Sequence, residues 1–327
     1  MWPKFDFRDG NLCKIFLILL YKTACFHYDD TMSALLKLEE LTKCFGQIKA
    51  VDELCLSIRE GTCFGLLGPN GAGKSTTIEC IQQLIKKDSG KIIYRGRELK
   101  GSDLADFGIQ FQNTALPAKL KVGEVLEFFS QLYGATRSKK ELISLCQLEP
   151  FINQYHDKIS GGQRQRLLLA VSLCHNPKVL MLDEPTTGLD PQARRNLWDL
   201  VKEIKAVGTT VILTTHYMEE AFELCDEIGI IDQGKIIAQG EPKKLLQHYF
   251  DESVIEIPRA SIEDQQVLLD LFSHIQTYDK FYAVTVKNLN QALFQLSQLN
   301  LDLAGISIRQ KNLEDLFIHL TGERLRK

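Results

Sequence analysis

No run of 18 or more apolar residues occurs in this chain of 327 residues, and its mean hydropathy is −0.11. Together these exclude a membrane-spanning helix. An excess of one charge is lacking as well. Lys and Arg number 39 against 42 Asp and Glu, a formal net charge of −3, so the basic surplus of a nucleic-acid binder is missing and no nucleic-acid partner is expected. The nine cysteines contain no Cys-x-x-Cys pair, and the two nearest are Cys55 and Cys63. Scattered in this way they read as small buried apolar residues in a reducing, cytosolic compartment, not as a disulfide framework. Internal repeats and low-complexity tracts are absent. What remains is a globular mixture, 44% hydrophobic and 25% charged, in a chain long enough for two domains of roughly 150 residues each.

Residues 1–31 stand apart. Their short apolar run, 15–21, lies between Lys14 and Lys22 and follows Lys4 and Arg8, the outline of a signal peptide. Asp6 and Asp9 interrupt the basic part, and Lys22 spoils Thr23-Ala24-Cys25 as a cleavage site. The segment is read as a disordered extension or one outside the native fold, with the folded protein starting near Met32.

From Leu35 apolar residues alternate with polar ones, and they do so again at Leu54, Leu56 and Ile58, which predicts antiparallel strands with one solvated face. Residues 63–67 form a compact apolar run closed by Gly68, a buried strand. Ile78, Ile81, Leu84 and Ile85 then take helical spacing. Between about 116 and 159 the pattern is mostly helical, with Val122, Val125, Leu126, Phe129 and Leu132 on one face. Apolar strands return at 179–182 and 211–213, each leading through polar turn residues to a helix, so a mainly parallel sheet covered on both faces is expected. After Pro242 the pattern changes. Strands are expected at 254–257, 282–286 and 306–308, with helices at 261–272 (Ser261 and Asp264 fitting a capping box), 290–299 and 313–320.

Gly68-Pro69-Asn70-Gly71-Ala72-Gly73-Lys74-Ser75, followed by Thr76, satisfies G-x-x-x-x-G-K-[ST] between a buried strand and a helix. Its glycines let several N–H groups turn toward one centre, where the helix N-terminus adds partial positive charge. Lys74 can reach the β- and γ-phosphates of a nucleotide, and the Ser75 hydroxyl can ligate Mg²⁺. The strand at 179–182 ends in Asp183-Glu184. A carboxylate at the end of a neighbouring strand can hold the Mg²⁺, and Glu184 can take a proton from the attacking water. Ile159-Ser160-Gly161-Gly162-Gln163 opens another helix whose N-terminus could accept phosphate. One chain has little use for two such termini at a single nucleotide, whereas a head-to-tail dimer employs both.

Taken in chain order, these three motifs resemble the Walker A, signature and Walker B sequences of the ATP-binding cassette (ABC) subunits of membrane transporters, with the resemblance covering Leu35 to about Leu246. It implies a P-loop α/β domain over residues 32–246, with a mainly parallel sheet, an antiparallel β subdomain and a helical subdomain at about 113–175. A small α+β domain at 247–327 would follow. The resemblance also implies roles for single residues. Phe45 matches the aromatic that stacks on adenine, with a core position as its alternative. Gln112 matches the glutamine linking the metal site to the helical subdomain; Gln110 is close by, but the spacing from Gly108 favours Gln112. Asp190 matches the D-loop aspartate and His216 the switch histidine. Ile159 replaces the usual Leu before Ser160, a near-isosteric change. The stretch 312–322 is similar to the tails of subunits from drug-resistance, antibiotic and nodulation-signal exporters.

The resemblance thus implies ATP and Mg²⁺ as cofactors, catalysis by Glu184, His216, Gln112 and Lys74, metal binding by Ser75, Gln112 and Asp183, and a homo- or heterodimer. It also implies a separate permease that holds the subunit at the cytoplasmic face of the membrane. A ribosome- or DNA-acting ABC switch is the rival. The single P-loop, the short interval between Lys74 and Ser160 and the near-neutral charge speak against it. A family member that remodels the cell envelope without moving cargo stays open.

Overall fold

The computed structural model describes residues 34–111, 114–134, 136–262, 266–299 and 305–322. The extension read at 1–31, the candidate Gln112 and the capping residue Asp264 lie outside the described residues. The chain begins with β1 (Ala34–Phe45), β2 (Ile48–Arg59), β3 (Cys63–Leu67), α1 (Lys74–Ile81), β4 (Ser89–Tyr94), β5 (Arg97–Glu98) and β6 (Phe107–Gln110). Three helices follow, α2 (Val122–Leu132), α3 (Lys139–Leu145) and α4 (Gly161–Ser172). Next come β7 (Val179–Asp183), α5 (Pro191–Ala206), β8 (Thr210–Thr215), α6 (Met218–Leu224), β9 (Glu227–Asp232), β10 (Lys235–Gly240) and α7 (Pro242–Tyr249). The remainder is β11 (Ser253–Pro258), α8 (Gln266–Leu271), β12 (Ile275–Thr277), β13 (Phe281–Val286), α9 (Leu289–Ser297), β14 (Ser307–Gln310) and α10 (Leu313–Thr321).

The central sheet has the order β10-β9-β3-β8-β7-β6. All its pairs are parallel except the β10–β9 edge. Period-two alternation divides its side chains between two cores. Cys63, Leu67, Leu180, Leu182, Val211 and Leu213 face the helices, while Phe64, Leu66, Val179, Met181 and Ile212 face the antiparallel sheet β2-β1-β4-β5 and α1. Burial on both faces explains why β3, β7 and β8 read as unbroken apolar runs. At α2 the expected stripe holds for Val122, Val125, Leu126 and Phe129, whereas Leu132 is exposed. The helix after Gly73 ends at Ile81, short of Leu84, because Gln83 turns into left-handed backbone with φ 56°.

A third sheet, β12-β13-β11-β14, packs Ile255, Ile257, Tyr282 and Val284 into one core with Leu268 and Phe272 and with Ala292 and Leu296 of α9. The last helix does not share this core. Leu313, Leu316 and Phe317 of α10 are buried in the large core of the central sheet, against α6 and α7. Arg309 joins the two regions: its Nε donates to Glu256 on β11 at 2.8 Å and its Nη1 to Asp315 on α10 at 2.6 Å. Asn312 caps α10 with a full capping box, its side chain accepting from Asp315 N at 3.0 Å. If α10 is integral to the larger core, Phe317→Ala will destabilise that unit by about 3–5 kcal/mol. Denaturant unfolding followed by tryptophan fluorescence reads this directly, since Trp198 belongs to the same core.

Candidate nucleotide site

Parallel register brings the motifs together. Leu67 pairs with Thr215, Asp183 with Thr214 and Gln110 with Leu182. The loop after β3, the acidic pair after β7 and the histidine after β8 therefore leave the sheet at one edge, the carboxyl ends of the strands, where open α/β sheets bind ligands. A cleft of about 290 Å³ opens there, lined by Ala50, Asn70, Gly71, Gly73, Lys74, Ser75, Thr76 and Glu184.

The loop is held from both sides by backbone. Gly73 has φ 108°, and a Cβ there would lie 2.3 Å from the carbonyl oxygen of Ala50 on β2. Only glycine can take that conformation at that distance. It hands the chain directly to Lys74, the first residue of α1. Lys74 Nζ donates to Gly68 O at 2.9 Å and Pro69 O at 3.1 Å, and lies 3.6 Å from Glu184 Oε1. With the lysine only 4% exposed, burial pulls its pKa below the usual lysine value, and the Glu184 charge opposes that shift. Gly68, Pro69 and Ala72 thus form the inner wall of the loop, and Asn70, Gly71, Ser75 and Thr76 its open face.

Ser75 Oγ donates to Asp183 Oδ1 at 3.4 Å, and Thr214 Oγ1 donates to the same oxygen at 2.5 Å. Glu184 has φ 46°, a left-handed conformation that a side-chain-bearing residue adopts at a cost of about 1–3 kcal/mol. Its N–H donates to Thr214 O at 3.2 Å and Thr214 Oγ1 at 3.1 Å. The Glu184 carboxylate accepts from Thr187 Oγ1 at 3.2 Å and lies 3.3 Å from His216 Nδ1. The imidazole in turn packs on Tyr217, 4.2 Å between ring centres. Lys74, Ser75, Asp183, Glu184 and His216 therefore form one constellation. Thr187 and Thr214 belong to it and escaped the sequence reading. Their hydroxyls carry no motif signal beyond standing beside Glu184 and His216.

Other candidates lie elsewhere. Among the described residues that line the cleft, none comes from Ser160, Gly161, Gly162, Gln163, Phe45 or Asp190. Ser160 and Gln163 complete a capping box on α4, with Ser160 Oγ accepting from Gln163 N at 3.2 Å and Gln163 Oε1 from Ser160 N at 2.9 Å. Gly162 is where α4 meets α5, since a Cβ there would sit 2.8 Å from Ala193 Cβ. Asp190 caps α5, its Oδ1 accepting from Gln192 N and Ala193 N at 3.0 and 2.9 Å. Phe45 is 52% exposed at the tip of the β1–β2 hairpin, which removes the core alternative. Gln110 is buried at the end of β6, and its Nε2 donates to Gln165 Oε1 on α4.

Residues 51–187 match the family model described as ABC transporter. The chain is 35% identical over 311 residues to the linearmycin resistance ATP-binding protein LnrL of Bacillus subtilis, covering 89% of this chain and 100% of that one. It is 37% identical to the Nod factor export ATP-binding protein I of Ralstonia nicotianae, covering 89% and 95%. Among solved structures, a dimeric post-hydrolysis ATP-binding cassette bound to ADP and Pi is 28% identical and superposes with a TM-score of 0.55, over 63% of this chain and 98% of that one.

The capping box at Ser160 makes a prediction independent of any nucleotide. Ser160→Ala will lower stability by about 1 kcal/mol, and Ser160→Asn will restore it, both measured by chemical denaturation without ligand.

Proposed function

Because the chain belongs to the family of ABC transporter ATP-binding proteins, whose activity is ATP hydrolysis, we propose that it powers export of a cargo through a separate membrane permease at the cytoplasmic face of the membrane. The observation that carries the reading is Glu184, held 3.6 Å from the buried Lys74 ammonium and 3.3 Å from His216 at the mouth of the glycine-rich cleft. Lys74 exchanges the Glu184 carboxylate for the β- and γ-phosphates of ATP, while the loop amides and the α1 N-terminus take the remaining phosphate charge. Freed from that pairing, Glu184 accepts a proton from the attacking water, and His216 supports the charge on the γ-phosphate. Phe45, exposed at the hairpin tip, offers its face to the adenine.

The oxygen donors at the cleft suit a hard divalent cation: Ser75 Oγ and Asp183 Oδ1 converge at 3.4 Å beside the phosphate cradle. Ser75 and Asp183, with Gln112, would hold Mg²⁺, which when bound neutralises phosphate charge. The Ser160-Gly161-Gly162 helix N-terminus stands outside this chain's own cleft. In a head-to-tail dimer, with a second copy or a paralogue, it closes over the partner's ATP. Gln110 at the end of β6 then carries closure toward the helical region through its bond to Gln165 on α4.

Export rather than another direction of work is supported by the names of the relatives, one a resistance protein and one an export protein. Among the described residues no helix is long and apolar enough to cross a membrane. Outer-face residues Phe128 and Leu132 of α2, one helical turn apart, are 45% and 61% exposed. This exposed face of α2 is the contact proposed for the permease.

Glu184→Gln is expected to bind ATP like the wild type while its steady-state turnover falls by about 10²–10⁴-fold; normal turnover would remove Glu184 from the role of base. Purified from detergent-solubilised membranes with ATP, the same variant should bring a polytopic membrane protein with it. Phe128→Glu with Leu132→Glu should lose that protein and keep basal hydrolysis. Recovery only with ribosomes or nucleic acid would end the transporter reading.

A further inference from the structure

Thr214 has no part in the phosphate cradle, yet its hydroxyl touches both carboxylate residues at the end of β7, Asp183 and Glu184. It is the penultimate residue of β8, following the apolar Val211, Ile212 and Leu213, and is fully buried. A valine would fill the same space, so packing alone does not call for a hydroxyl. The single proton of Thr214 Oγ1 goes to Asp183 Oδ1 at 2.5 Å, and a lone pair of the same oxygen accepts from Glu184 N at 3.1 Å. The Thr214 carbonyl receives that N–H as well, at 3.2 Å.

Parallel pairing of Asp183 with Thr214 sets this contact, since it seats the hydroxyl against the point where β7 ends. Two consequences follow. Oδ1 of Asp183 is engaged by the Thr214 and Ser75 hydroxyls together, which fixes the rotation of the carboxylate. The left-handed turn at Glu184 (φ 46°), which carries its side chain to Lys74 and His216, is held by a bifurcated bond from its own N–H. Thr215 is differently occupied, its hydroxyl accepting from Tyr217 N at 2.9 Å to shape the turn that carries His216.

We infer that Thr214 is a positioning residue for hydrolysis, one hydroxyl orienting the carboxylate that faces the metal and the carboxylate that faces the water. The inference rests on the proposed roles of Asp183 and Glu184. Supporting groups at metal sites typically lower affinity or activity by about 10–100-fold when removed.

The test compares Thr214→Val, which keeps shape and removes the hydroxyl, with Thr214→Ser, which keeps the hydroxyl. Two measurements are made on the full chain: steady-state kcat and KM for ATP, and Mn²⁺ binding by electron paramagnetic resonance with a non-hydrolysable ATP analogue. Thr214→Val is expected to lower both kcat and Mn²⁺ affinity by about 10-fold or more, with KM within about twofold of wild type, and Thr214→Ser to restore both. Wild-type kcat and Mn²⁺ affinity in Thr214→Val would overturn the inference. So would a Thr214→Ser variant as impaired as Thr214→Val, since packing would then be the cause. Glu184→Gln assayed in parallel separates the levels. If it is inactive while Thr214→Val is normal, only the Thr214 inference fails. If it turns over normally, the reading of Glu184 fails and takes the inference with it.

Discussion

One buried ammonium governs this structure. Lys74 is 4% exposed at the head of α1, and a cation in that position must find oxygen or anionic partners or lose its charge. The carbonyls of Gly68 and Pro69 and the Glu184 carboxylate supply them. Burial still depresses the Lys74 pKa, so at neutral pH holding the charge there costs the fold stability. A site that maintains a costly cation beside a cradle of amide groups is suited to take up an anion.

Most of the surrounding architecture serves that placement. Parallel pairing of β3, β8 and β7 brings the loop, the histidine turn and the acidic pair to one edge, and burial on both sheet faces leaves the strands little freedom to slip. Left-handed backbone at Glu184 stores local strain at the point where chemistry is proposed, a common location for it. Farther out, the Ser160 and Asp190 caps fix the starts of α4 and α5, and contact at Gly162 keeps those starts close. The helix read as a second phosphate-accepting terminus is thus tied to the helix that follows Glu184.

Burial decides which elements are legible in the sequence. β3, β7 and β8 were legible because fully buried strands become apolar runs, and the glycine-rich loop because its backbone demands specific residues. β4, β5, β6, β9, β10 and β12 are not legible in it: β5, β6 and β12 are short, and β4, β5 and β12 carry exposed polar residues. β9 is buried yet holds Glu227 and Asp232, which blur its pattern. The spacing of Leu313, Leu316 and Phe317 announces a helix but not its partner, so chain position suggested the small C-terminal unit while tertiary packing put α10 in the larger core. At the site, charged and glycine residues were found from motif spacing. Thr187 and Thr214 were missed because a threonine hydroxyl reveals its role only when its neighbours are known.

The account stands on the Lys74 charge, and equilibrium ATP binding to Lys74→Met tests it most directly. Methionine nearly preserves side-chain length and removes the buried cation, so the variant should stay folded with a single cooperative unfolding transition. Its ATP affinity should fall by about 100-fold or more, in line with removal of one member of a buried charge pair. A folded Lys74→Met protein that binds ATP as tightly as the wild type would contradict the account.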